Sequence, residues 1–183
     1  MRFEAYARWH RFLDSMAKLN YTFRMSQAVI RRKRRAADRL APRRTAHYDS
    51  PGASLGLSRA RTDDLILAVR RGLPYEALRK FSFETGFPPA AVALMIEIPE
   101  RTLARRKADG RLAPDESERL LRISGVFEKA VGLFEGGVAE AIAWLANPKK
   151  ALANHSPLEY ARFEVGAREV ENLIGRLEHG VFT

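Results

Sequence analysis

The chain has 183 residues, 46% of them hydrophobic, and a formal net charge of +10. That length holds one domain or two small ones. No run approaches the roughly 20 apolar residues of a membrane helix, and with no cysteine there is neither a disulfide framework nor a thiolate metal site. The charge is uneven. Residues 1–60 carry 14 Lys/Arg against 4 Asp/Glu, residues 61–125 carry 12 against 10, and residues 126–183 carry 6 against 8. A basic N-terminal third of this kind is either a nucleic-acid footprint or a solvated tail.

The first segment, residues 1–45, places Tyr6, Trp9, Phe12, Leu13, Met16 and Leu19 at helical spacing, ahead of the basic run Arg31-Arg32-Lys33-Arg34-Arg35. Three readings stand for it. It is a DNA-contacting arm, an organellar transit peptide, which is likewise basic, acid-poor and amphipathic, or a stretch upstream of a true start at Met16, Met25 or beyond. His47–Ala60, rich in Ser, Gly and Pro, reads as a linker.

From Arg61 the pattern is helical. Thr62-Asp63-Asp64 can cap a helix to Arg71, closed by Gly72. Pro74 opens a second, with Ala77, Leu78 and Phe81 inward and Gly86 at its end. Pro88-Pro89 start a third, burying Val92, Met95 and Ile96. After a tight turn at Ile98-Pro99, Glu100–Lys107 form a fourth, ended by Asp109-Gly110.

The third and fourth helices have the helix–short turn–helix form of a DNA-binding unit. Ile98 and Leu103 are expected to anchor the second of the pair. That leaves Arg101, Thr102, Arg105 and Arg106 projecting outward, with Lys107 beside them. Guanidinium groups pair with phosphates and can fork onto a guanine edge. A solvated basic face on a short helix is the other reading.

Leu112–Ser117 begin the longest helix, with Pro114 early and acids in the first turn, where the helix dipole favours them. It is expected to run to about Phe134 and join the two halves, and Gly136-Gly137 break it. Asn147-Pro148 stop the next helix, because proline disfavours helical geometry in the residue before it. Ser156-Pro157 start another, as N-cap and first-turn proline. In the final helix Val170, Leu173, Ile174 and Leu177 form one apolar stripe, and Gly180 sits where a helix-terminating glycine belongs.

The order W-L-x-x-P, x-A-L, S-P-L, G-A-R-E-V-E, L-x-G-R-x-x-H-G, from Trp144 to Gly180, resembles the C-terminal toxin-binding domain of Xre/MbcA/ParS-type antitoxins. Upstream of it, I-x-x-R-T-L-x-R-R (Ile98–Arg106) is similar to the Xre-type helix-turn-helix. One departure is Pro99, in a turn position where Ser is a common N-cap.

The resemblance implies a bacterial, cytoplasmic antitoxin of a type II toxin–antitoxin pair. Its partner would be a RES-domain toxin that degrades NAD, and the antitoxin's C-terminal end would block the toxin's active site. Trp144, Arg168, Glu171, Arg176, Glu178, His179, Gly180, Val181, Phe182 and Thr183 are the expected toxin-binding residues. The DNA-binding residues would be Arg101, Thr102, Arg105, Arg106 and Lys107, on an inverted-repeat operator that the homodimer or higher oligomer autorepresses.

No enzyme chemistry is visible. His10, His47, His155 and His179 lack metal-ligand spacing, Gly136-Gly137 lack a following Gly-Lys-Ser/Thr, and no serine sits in a G-x-S-x-G elbow. No cofactor, metal or membrane is expected. The expectation is therefore an all-α protein with residues 1–60 as basic extension and linker, 61–125 as helix-turn-helix domain, and 126–183 as toxin-binding and dimer-forming domain. The alternative function is a stand-alone dimeric helix-turn-helix regulator.

Overall fold

Proline and glycine set the boundaries of nearly every helix. The computed structural model describes residues 46–58 and 60–180. The expected N-terminal helix and basic run, and Val181, Phe182 and Thr183, lie outside the described residues. Among the described residues the structure has eight α-helices and two short 3-10 turns. The helices are α1 (Thr62–Arg71), α2 (Tyr75–Thr85), α3 (Pro89–Met95), α4 (Glu100–Asp109), α5 (Pro114–Leu133), α6 (Val138–Ala146), α7 (Pro157–Tyr160) and α8 (Glu164–Glu178). The 3-10 turns are Ala53–Leu55 and Lys150–Leu152.

The local chemistry explains the ends. Gly86 and Gly110, with φ of 72° and 70°, terminate α2 and α4 in the left-handed conformation that costs glycine least. The Ser156 hydroxyl accepts from the Glu159 N–H at 3.3 Å, and the Glu159 carboxylate accepts from the Ser156 N–H at 2.9 Å. These two reciprocal bonds form a capping box around Pro157. At α1 the cap differs from expectation. Thr62 is the first helical residue, and Asp64 reaches back to the Arg61 N–H at 3.3 Å.

Helix α5 is the spine. Its inward positions Leu120, Ile123, Val126, Phe127, Ala130 and Val131 are all at most 1% exposed. It packs against α1, the Ala53–Leu55 turn, α6 and α8. The α8 stripe meets it with Val170, Leu173 and Ile174 buried, while Leu177 is half-buried. In the N-terminal half, Leu78, Phe81, Val92, Met95, Ile96 and Ile98 close the core, and the Phe81 ring meets Phe127 edge-on at 5.5 Å.

The stretch expected as a linker is folded. Ser54 and Leu55 are 0% and 3% exposed. The Glu128 carboxylate, on α5, accepts from the Gly52 N–H at 3.1 Å, the Ser54 N–H at 2.8 Å and the Ser54 hydroxyl at 2.5 Å. A Ser/Gly/Pro-rich stretch shows no periodicity. Here a single 3-10 turn supplies the buried residues, and a carboxylate 74 positions away satisfies its backbone.

Candidate functional site

Two surfaces carry the chemistry. The first is α4. It follows α3 after the turn Ile96–Pro99, in which Glu97 adopts φ +60° and Ile98 is 2% exposed. No residue of α4 is buried, and Leu103, expected as an anchor, is only half-buried. Arg101, Arg105 and Lys107 are exposed and Thr102 is half-buried. Residues 101 and 105 stand one turn apart, so both guanidinium groups share a face.

Arg106 does not project outward with them. Its Nε donates to Glu116 Oε2 at 2.8 Å and its Nη2 to Glu116 Oε1 at 3.1 Å. Successive helical residues are about 100° apart, so Arg105 and Arg106 cannot face the same way. The Glu116 side chain is 8% exposed, and its Oε2 also accepts the Ala113 N–H at 2.7 Å. The Glu116 hydrogen bond holds the Arg106 guanidinium above its ordinary pKa, against the opposing effect of desolvation. Arg106 is therefore the strut that fixes α4 to the start of α5, and Glu116 is one of the first-turn acids of the long helix, where the sequence shows a favourable helix dipole but not this partner.

The second surface is the C-terminal bundle. The Trp144 ring is half-buried, and the Lys149 ammonium stands 5.2 Å above it. Desolvation lowers the Lys149 pKa. Arg168 is exposed and pairs with Glu164 at 3.0 Å, one turn earlier on α8. Glu171 pairs with Lys129 of α5 at 2.6 Å. Arg168, Glu171 and Glu178 also line a groove of about 690 Å³ between α5, α8 and residues 48–51. Arg176 pairs with Glu169 at 3.3 Å. Glu178, His179 and Gly180 are exposed at the end of α8, where Gly180 has φ +67°. Trp144, in the α6 segment, stands apart from the α8 residues in the chain, and it is not among the groove's lining residues.

The motif glycine Gly166 has a steric reason. A Cβ there would run into the backbone carbonyl of Tyr160, so only glycine lets α8 start this close behind α7. Gly72 is the same case, facing the Leu112 carbonyl at φ +79°.

A helix–turn–helix with a basic outer helix, joined by one long helix to a second small bundle, defines a helical protein with one surface suited to DNA and another to a protein partner. Residues 64–125 match the antitoxin Xre-like helix-turn-helix domain, and residues 129–180 match the antitoxin Xre/MbcA/ParS C-terminal toxin-binding domain. Antitoxin Xre of Yersinia enterocolitica is 39% identical over 130 residues, covering 70% of this chain and 88% of that protein. Antitoxin Xre of Photorhabdus laumondii is 33% identical over 114 residues, covering 62% and 77%. Antitoxin Xre of Pseudomonas putida is 32% identical over 84 residues, covering 45% and 52%. The chain belongs to the Xre antitoxin family, which is a family of antitoxins and not of enzymes. Among the described residues no helix is long and apolar enough to cross a membrane.

Proposed function

We propose that this antitoxin neutralises a RES-domain, NAD-degrading toxin by direct contact, with Val181, Phe182 and Thr183 entering the toxin's active site. As a homodimer or higher oligomer in the bacterial cytoplasm, it also represses its own operon from an inverted-repeat operator. The observation that carries the first part is the end of α8. Arg176 is half-buried, and Glu178, His179 and Gly180 are exposed there, immediately before the Val181-Phe182 pair of the sequence. Polar side chains ringing an aromatic anchor are the usual anatomy of a tight interface. The operator reading is supported by the exposed Arg101, Arg105 and Lys107 on α4.

Deleting Val181–Thr183 tests it. The apolar stripe of α8 stays intact, so the fold and operator binding survive. Toxin affinity falls by several kcal/mol, the scale of a lost hot spot. Growth rescue against the co-expressed product of the adjacent gene, with operator gel shifts on the same truncated protein, reads both halves. Full rescue would move the inhibitory contacts to Trp144 and the Arg168/Glu171 face. Failure of the full-length chain to protect would instead favour a regulator without a toxin partner.

A further inference from the structure

A helix with no buried residue is held in place by its ends and its polar ties. For α4 the C-terminal tie is Arg106–Glu116. The N-terminal tie is the turn after α3, and arginines from two other parts of the chain hold that turn. Arg119 of α5 donates from Nε to the Ile96 carbonyl at 2.8 Å. Arg162, in the connection between α7 and α8, donates from Nη2 to the Glu97 carboxylate at 2.8 Å. Glu97 is the residue with φ +60°, a conformation that a non-glycine residue keeps only when its surroundings fix it.

Arg162 lies 65 positions from Glu97, within the matched toxin-binding domain, whereas Glu97 lies within the matched helix-turn-helix domain. Its side chain is 13% exposed, against 43% for Glu97, so the guanidinium is largely withdrawn from water while the carboxylate it holds stays at the surface. Its backbone is fixed as well. Arg122 of α5 donates from Nη2 to the Arg162 carbonyl at 2.8 Å, and its Nη1 bonds Glu118 at 3.0 Å. Arg122 Nη1 also stands 3.7 Å from Glu164, in the first turn of α8. A continuous set of charged contacts thus runs from the start of α8, through Arg122 and Arg162, to the turn that aims α4.

We propose that Arg162 is a positioning residue for DNA reading: it lets the toxin-binding domain set the angle at which α4 meets the operator. The proposal rests on α4 being the helix that reads the operator, and goes beyond it by making the second domain part of the reading unit. Anything that moves the α7–α8 connection then changes sequence preference without touching DNA.

The test uses the full chain with Arg162→Gln, Glu97→Gln and the double variant. The measured quantity is the ratio of affinity for the DNA immediately upstream of this gene to affinity for a scrambled duplex of equal length. The ratio cancels the uniform electrostatic change of adding or removing one charge. Each single variant is expected to lower the ratio on the order of tenfold, and the double variant to lower it no further, since both break one interaction. Amide exchange should quicken in α4 while Leu120–Val131 of α5 stay protected. Should Arg162→Gln fail to fold, Glu97→Gln, which removes the same pair from the other side, is read the same way. An unchanged ratio, or additive losses in the double variant, overturns the proposal while leaving operator reading by α4 intact. A wild-type chain with no preference for the upstream DNA overturns both.

Discussion

Arg105 and Arg106 are adjacent, chemically identical and differently employed. The Arg105 side chain is exposed on α4, whereas that of Arg106 is 19% exposed and bidentate on Glu116. Arg105→Ala should leave thermal stability unchanged and weaken operator binding by about 1–3 kcal/mol if it contacts a base. Arg106→Ala strands the Glu116 carboxylate in a buried site. It should lower unfolding free energy by about 3 kcal/mol or less, because Arg106 retains some contact with water. Chemical denaturation and gel shifts on the two variants separate the roles. Equal stability for both would remove the strut. The sequence shows three basic residues in a row, and it cannot say which one a distant acid has claimed. Helical geometry does say that all three cannot face one partner.

Glu128 shows the same logic with a pH dependence. Burial pushes its carboxyl pKa above the ordinary value, and the bonds from Ser54 and Gly52 only partly offset this. A raised carboxyl pKa means that the folded state binds the proton more tightly than the unfolded chain. The group's stabilising contribution is therefore complete below the unfolded value, near pH 4, and is lost as pH rises through the folded pKa. Relative to Glu128→Gln, the wild type should lose stability as pH rises from about 4 through the folded-state pKa. Urea titrations of both proteins across that range check the sign, and a wild type that gains on the variant would contradict it.

At the scale of elements, what could be read from the sequence was the punctuation. Gly72, Pro74, Gly86, Pro88, Gly110, Pro114 and Ser156-Pro157 each mark an end that the structure places within a residue or two. Their chemistry acts locally, through fixed φ, a missing N–H or a side-chain cap. The stripes of α5 and α8 were legible for the same reason, since helical periodicity lies within one helix. What was not legible is chemistry between elements. The Ser54–Glu128 bond spans 74 positions and the Arg162–Glu97 pair spans 65, and no local pattern in the chain announces either. The candidate site divides the same way. Arg101 and Arg105 on one face follow from spacing, whereas the withdrawal of Arg106 depends on an acid in the next helix. The Ala53–Leu55 turn is the extreme case. Three residues too short for periodicity carry Leu55 into the core and complete a buried carboxylate.

At the scale of the whole molecule, residues 45–183 form one compact unit, and the charge divides close to that boundary. Residues 1–45 hold 13 Lys/Arg and 3 Asp/Glu, and residues 46–183 hold 19 of each, so the body is formally neutral and the first segment carries the entire +10. Two truncations separate what the segment does from what the body needs. A chain beginning at Ala46 retains Gly52, Ser54 and Leu55 and should unfold cooperatively with nearly the full stability of the body. It should still protect against the toxin and prefer its operator. Its affinity for unrelated DNA should drop, and log K against log salt should flatten by about 0.9 for each phosphate contact removed. A chain beginning at Ser58 cuts inside the body. It withdraws a buried leucine, a loss of about 1.5–3 kcal/mol. It also removes the three donors to the Glu128 carboxylate, though the same cut uncovers that carboxylate to water. Against a typical domain stability of about 5–15 kcal/mol, that loss should lower the melting temperature clearly below that of the Ala46 chain. Circular dichroism melts of the two chains, with salt-dependent gel shifts on the longer one, read both effects. If the Ser58 chain melts like the Ala46 chain, the buried turn contributes little to the fold. If the Ala46 chain keeps the full salt dependence, the phosphate contacts belong to residues 46–183, among which Arg101, Arg105 and Lys107 are the first to test.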